Sequence, residues 1–300
     1  MKQSFSVTAL LAWGFSAVTL AALLLGFCLL VKDSLPVWQQ EGTGFISGTK
    51  WFFREQIFGA APMIYGSFIV SLLAVLMAAP LGILTALFGT EFLPRRLRMP
   101  VKATTELLAG IPSVVYGLLG VVLLRDWVYT ALEPFDPLSG DTLFTAAVLL
   151  AIMILPTLMS LADEAFSSVS GAQRAAARGL AMGRAQTALF VVIPQALPGL
   201  VAALLLAFGR AIGETIAVFL VVGRQDNQWP DNFVSLQPLI ASGQTLTSKL
   251  GGSETNIAYG DPLHWGAMSG LGLLLLLIIT LVTLTGLGLQ HLTRRGNVHT

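Results

Sequence analysis

Six apolar blocks, each long enough to cross a lipid bilayer, constrain this chain more than any other feature. They run roughly from Thr8 to Val31, Ile64 to Phe88, Ala103 to Leu124, Leu143 to Leu161, Pro198 to Val222 and His264 to Leu289. A helical span needs about 20 apolar residues. In lipid the backbone finds no partner outside its own segment, so each block is predicted to be a helix. Only 11% of the residues are charged, where a soluble domain carries about a quarter. The chain therefore reads as an all-α, polytopic membrane bundle. The first block is too long for a signal-peptide core and no small-x-small cleavage pattern follows "LLVKDSLP", so it is kept as a helix. Cys28 is the single cysteine, which excludes an internal disulfide and a cysteine metal cluster. His264, His291 and His299 are too scattered to form a metal site, and no metal is expected.

Lysine and arginine set the orientation. One side holds Lys2, Arg95, Arg96, Arg98, Lys102, Arg174, Arg178, Arg184, Arg294 and Arg295. The other holds Lys32, Lys50, Arg54, Arg125, Arg224 and Lys249. The short loop "TEFLPRRLRMPVK" carries most of the bias, so its side, with both termini, is predicted to be cytoplasmic. The opposite loops gather most of the acids, among them Asp33, Glu41, Asp141, Asp226, Asp231, Glu254 and Asp261, which suggests a docking face there. Lys32 to Pro62 contains "FISGTKWFF", read as an interfacial turn or short helix with Trp51 at headgroup level. Gly223 to Pro262 is polar and reads as a recognition loop or a solvated connector.

The inner segment Asp163 to Ile193 is too polar to span, yet its small and apolar residues alternate at helical spacing. A short amphipathic helix over Ala172 to Ala177, a turn around Gly179 to Gly183 and a second helix fit it. Small residues there let another protein approach the backbone.

Two charges, Arg210 and Glu214, fall inside the fifth block. An arginine at mid-membrane costs about 2.5–3.5 kcal/mol on insertion scales, and such residues mark a pathway or a bundle interior. Four residues apart, the two share a helix face and can meet. Gly209 and Gly213 beside them form a strip where another helix can come close, and Thr215 adds a hydroxyl. The planar guanidinium suits an oxyanion, on which it places two parallel donors. Two readings stand: a ligand on a pathway, or a buried salt bridge that only locks helices together. In the third block Gly110 and Pro112 should bend or break the helix. Ser113 and Tyr116 supply hydroxyls at that bend, as substrate contacts or as parts of a packing kink.

Three stretches carry a family resemblance: "PMIYGSFIVSLLAVLMAAPLGILTALFGTEF" (Pro62 to Phe92), "TELLAGIPSVVYGLLG" (Thr105 to Gly120) and "GRAIGETIAV" (Gly209 to Val218). They are similar to the ABC importer permeases of the phosphate-specific transport (Pst) system, in the forms of the PstC type rather than the PstA type. The inner segment resembles the coupling loop of such permeases. With Pro194 as the closing proline of the motif, Ala181 falls at its Gly position and Ala175 at its Glu position, followed by Ala176 and Ala177. Gly179 and Gly183 flank the substituted site and can supply the turn.

The resemblance implies a type I ABC importer permease fold that forms half of a phosphate pathway lined by Arg210, Glu214, Thr215, Ser113 and Tyr116. It implies a coupling loop at Ala175, Ala176, Gly179, Ala181 and Gly183. It also implies a complex with a homologous PstA-type permease, a PstB-type ATPase dimer and a periplasmic PstS-type phosphate-binding protein. The complex would sit in a bacterial inner membrane and have no nucleic-acid partner. No G-x-x-x-x-G-K-[ST] pattern occurs in the chain, so ATP and Mg would be used by the partner ATPase and this chain is not itself an ATPase. On this reading residues 1–61 form an N-terminal span and outer segment, 62–289 the permease core with a coupling loop at 163–193, and 290–300 a cytoplasmic tail. The alternatives are an ion-coupled secondary anion carrier, which has no use for the long inner segment, and a permease for another tetrahedral oxyanion. An intramembrane enzyme lacks any Ser-His, paired-Asp or H-E-x-x-H arrangement within the blocks.

Overall fold

The computed structural model describes residues 7–230, 232 and 235–296; Lys2, Asp231 and His299 lie outside them. Helix α1 covers Val7–Glu41, followed by the single turn α2 at Gly44–Ser47. A two-stranded hairpin of β1 (Trp51–Phe52) and β2 (Ile57–Phe58) pairs Trp51 with Phe58. Helix α3 (Ala61–Leu87) ends in a wide turn through Phe92, and α4 (Arg95–Ala109) follows. Next, α5 (Ser113–Leu119) runs through a wide turn at Gly120–Leu124 into α6 (Arg125–Leu132). Helix α7 covers Leu143–Ser167 and α8 Gly171–Gly179. The turn α9 (Arg184–Thr187) passes through Ala188–Val192 into α10 (Ile193–Ile212). After α11 (Ile216–Val221) come three short helices: α12 (Gln237–Ile240), α13 (Leu246–Leu250) and α14 (Glu254–Ala258). The last helix, α15, runs Pro262–Gly296.

Six stretches are long and apolar enough to span a membrane: Leu11–Glu41, Ala61–Phe92, Ser113–Phe135, Leu143–Ser167, Arg184–Ile212 and Pro262–Leu289. The centre is α7, packed between α3 and α10. Their contact is built from small residues: Ala74 and Ala78, Ala146 and Ala147, Ala203 and Ala207 are all buried. In lipid, small residues hold helices together because they let backbones approach closely. Gly82 lies against Leu158, and a Cβ at Gly199 would sit 3.0 Å from that of Ala165. Many large apolar side chains point outward instead, among them Leu76, Leu81 and Leu84 of α3. Leu11 to Leu25 of α1 are exposed throughout, as lipid-facing residues are.

The bounds of three spans differ from the expectation. The third begins at Ser113, not Ala103, because the chain breaks at Gly110–Pro112 and α4 stands as a separate helix with four basic residues in its first half. The fifth begins upstream at Arg184 and stops at Ile212, where Gly213 ends it. The predicted second helix of the inner segment is thus the start of that span. The first continues through Pro36 to Glu41, so the outer segment is shorter than read. The tail assigned to 290–300 is helical as far as Gly296. Trp51 is buried inside the protein, only 3% exposed, under Phe58 and the start of α15.

Candidate functional site

Two helix breaks define the middle of the molecule. At the first, Gly110–Pro112, the missing proline N–H frees the α4 carbonyls. Tyr116 Oη donates to the Leu108 carbonyl at 3.1 Å and so bridges the break, while Ser113 opens α5. At the second, Gly213–Thr215, Glu214 Oε1 accepts from Ala217 N at 3.4 Å and Thr215 Oγ1 donates to the Gly213 carbonyl at 3.3 Å. The helices beyond the breaks lie side by side. A Cβ at Gly117 of α5 would stand 3.1 Å from Ala217 Cα, and one at Gly120 would stand 3.0 Å from Val221.

The predicted Arg210–Glu214 pair does not form. The second break removes the helical i,i+4 relation, and Glu214 caps α11 instead. Arg210 occupies the last turn of α10 rather than the centre of a longer span. It is exposed on the chain's surface and has no ion pair or side-chain hydrogen bond among the described residues. The glycine strip does what its spacing predicts, and the helix it receives is α15 of the same chain. Gly209 lies against Val282 and Thr283, and Gly213 against Ile279. No side-chain hydrogen bond joins Arg210 to Ser113, Tyr116, Glu214 or Thr215 among the described residues. A cavity of about 520 Å³ at the loop end and one of about 600 Å³ near Asp163 both lie away from Arg210.

The inner segment folds as read, a helix, a turn and a second helix. Ser170 caps α8 by accepting from Gln173 N. The helix closes in a Schellman motif: Met182 N donates to the Ala177 carbonyl and Ala181 N to that of Arg178. The residue in the left-handed position is Ala181, with φ +60°. Ala175, Ala176, Gly179, Ala181 and Gly183 are all exposed, and Leu180 is 80% exposed beside them. Beneath this hairpin Arg174 is a clamp the sequence reading missed. It pairs with Glu91 at 2.8 Å and also donates to the Phe166 and Val169 carbonyls, tying α8 to the ends of α3 and α7. Nearby, Asp163 accepts from Arg98 at 3.1 Å and Thr90 at 3.0 Å.

The loop end holds a second, buried cluster. Lys249 is 2% exposed and sits between Asp226 Oδ2 at 2.6 Å and Glu254 Oε2 at 2.5 Å. Glu254 Oε1 also takes Trp51 Nε1 at 2.6 Å and His264 Nε2 at 2.9 Å. Burial pushes the Glu254 carboxyl up, but the hydrogen bond and charge of Lys249, with the Trp51 and His264 hydrogen bonds, outweigh it and hold the group below its usual range. Several acids expected to mark a docking face work inside the fold. Asp33 accepts from Trp265, Asp261 caps α15 and Glu41 accepts from Phe58 N. A lysine alone among "TLTSKLGG" is the one sequence signal of this cluster, since Glu254 stands at no helical spacing from it and Asp226, Trp51 and His264 are farther along the chain.

Residues 78–295 match the family model described as "Binding-protein-dependent transport system inner membrane component". The chain is 34% identical over 291 residues to the phosphate transport system permease protein PstC of Mesorhizobium japonicum, covering 89% of this chain and 86% of that protein. It is 30% identical over 297 residues to a probable phosphate transport system permease protein PstC of Methanocaldococcus jannaschii, covering 91% of each. Among solved structures, the inward-facing MetNI methionine ABC transporter overlays 79% of this chain and 94% of its own with a TM-score of 0.55 at 18% identity, a likeness of fold.

Proposed function

Because the chain belongs to the family of binding-protein-dependent transport system inner membrane components, we propose that it is the PstC-type permease subunit of an ATP-driven inorganic phosphate importer. The observation that carries the reading is Arg210: an arginine with no ion pair or side-chain hydrogen bond among the described residues, beside a helix break, in an apolar bundle. Unpaired charge in a membrane bundle is costly and is retained where a substrate or a water-filled path meets it. Broken helices are where membrane transporters expose backbone and polar groups to their substrates. The guanidinium fork matches two oxygens of a phosphate, and it stays protonated at every physiological pH. Glu214, Thr215, Ser113 and Tyr116 flank the two breaks and shape the route around it.

The chain would supply half of the route and a homologous permease of the PstA type the other half. An ATPase dimer that uses ATP and Mg would take the exposed tip from Ala175 to Gly183 in a surface groove, and a periplasmic phosphate-binding protein would deliver substrate at the opposite end. The setting is a bacterial inner membrane with both termini cytoplasmic. The clamp on Arg174 supports the coupling role of the hairpin, because a hairpin that receives force must not swing freely.

The test is phosphate uptake into proteoliposomes holding the whole complex. Arg210→Gln is expected to abolish uptake with the complex intact, and Arg210→Lys to leave a weakened rate, since a point charge replaces a bidentate fork. Near-normal uptake by an intact Arg210→Gln complex would sink the assignment.

A further inference from the structure

The connector between α11 and α15 does not run over the surface. Between Gly243 and Gly252 it turns into the bundle and fills the space between α3, α11 and the start of α15. Gln244, Thr245, Leu246, Thr247, Ser248 and Lys249 are each at most 7% exposed. The approach is close enough to need glycine on both sides. A Cβ at Gly66 would stand 2.0 Å from the Gln244 carbonyl oxygen, and one at Gly243 would stand 2.8 Å from Leu143. Ser67 of α3 accepts from Leu246 N at 2.8 Å. At its far end Gly251 rests on Thr215 and Phe219, with a Cβ there meeting Thr215 Cγ2 at 3.3 Å. Below Thr215 come the second helix break and Arg210.

A connector has no need to bury five polar side chains, and burying a lysine is costly unless it is paired. Here nearly everything is matched internally. Thr245 and Ser248 cap each other, Ser248 donates to Gln244, Gln244 donates to Asp226, and Lys249 is held by Asp226 and Glu254. Such a segment differs from an apolar one in what happens when it leaves. Each hydrogen bond it gives up is replaced by one to water, so the free energy between docked and undocked forms is small. That property suits a part that must come out and return.

We infer that Gly243–Gly252 is a re-entrant plug that closes the route above Thr215 and Arg210, with Lys249, pinned between Asp226 and Glu254, as its bolt. The inference rests on the permease function proposed above. It commits Lys249, Asp226, Glu254 and Ser67 to holding the plug and gives them no contact with the transported anion.

The experiment reads access to Thr215 from the binding-protein side. The whole complex, carrying Cys28→Ala and Thr215→Cys, is reconstituted and treated with a membrane-impermeant thiol reagent. Labelling is expected to be slow at rest and faster during turnover with ATP and loaded binding protein. Two unrelated changes should each accelerate resting labelling by about tenfold or more, because each removes docking energy. Lys249→Met draws the bolt, and Gly66→Ala pushes on the Gln244 carbonyl without touching a charge. Equal labelling at rest, in turnover and in Gly66→Ala would overturn the plug, and the turnover arm holds even where Lys249→Met fails to assemble. Uptake of phosphate with labelling indifferent to all three would reject the plug and keep the permease reading. Labelling that tracks all three, while the complex with native Thr215 moves no phosphate, would keep the plug and reject phosphate as substrate.

Discussion

Glu254 shows how much a single side chain can carry when it is buried among partners. One carboxylate receives Lys249, Trp51 and His264 and so joins the hairpin, the plug and the last helix. Its folded pKa lies below the ordinary 4.5. A lowered pKa means that its stabilisation is complete above the ordinary value and is lost as pH falls through the folded one. Thermal unfolding of the purified protein should therefore lose midpoint below about pH 4.5. Glu254→Gln should start lower at pH 7, by roughly 2 kcal/mol, and fall less steeply in acid, because one charged hydrogen-bond acceptor is gone. An unchanged acid slope in the variant would assign the loss to other groups. This residue was hidden in the sequence because its partners stand at positions 51, 249 and 264, and no regular spacing links them. Arg210 was visible for the opposite reason: a charge inside an apolar block needs no tertiary knowledge to stand out.

Elements were legible where they follow from periodicity and misread where a break intervenes. The inner hairpin was readable in outline because small residues at helical spacing and flanking glycines are local signals. The fifth span was read as continuing to Val222 because hydropathy does not fall at Gly213, although the helix ends there. The Arg210–Glu214 pairing failed with it, since i,i+4 contact presumes an unbroken turn. The hairpin also makes a quantitative statement. Ala181 occupies a left-handed position that favours glycine, at φ +60°. Ala181→Gly should stabilise the turn by about 1 kcal/mol, seen as roughly fivefold slower hydrogen exchange at the Met182 amide that closes the motif. Ala181→Trp, by contrast, should lower ATP hydrolysis stimulated by the loaded binding protein, because a bulky ring blocks the tip from its groove. Faster exchange in Ala181→Gly would mean that the turn is not strained.

For the whole molecule, the six-span bundle was evident from the apolar blocks alone. What could not be read was the depth of the connectors, since polar composition fits a solvated loop and a buried plug equally well. Orientation is open to direct measurement. With Cys28→Ala, Ser253→Cys in the connector should be labelled by an impermeant reagent in intact spheroplasts, and a cysteine at Arg96 only after permeabilisation. The reverse pattern would invert the molecule in its membrane.

One feature of the bundle has a mechanical consequence. Helix α3 and its wide turn are clamped at Glu91 by Arg174 of the hairpin, and near the other end Gly66 and Ser67 bear directly on the segment that dips toward Thr215. These two attachments are 25 positions apart on one rod, about 37 Å at 1.5 Å per residue. Pro80 is the one proline between them. A rod so fixed behaves as a lever: work done on the hairpin at one membrane face is delivered at the opposite face, with Pro80 the natural place for it to flex.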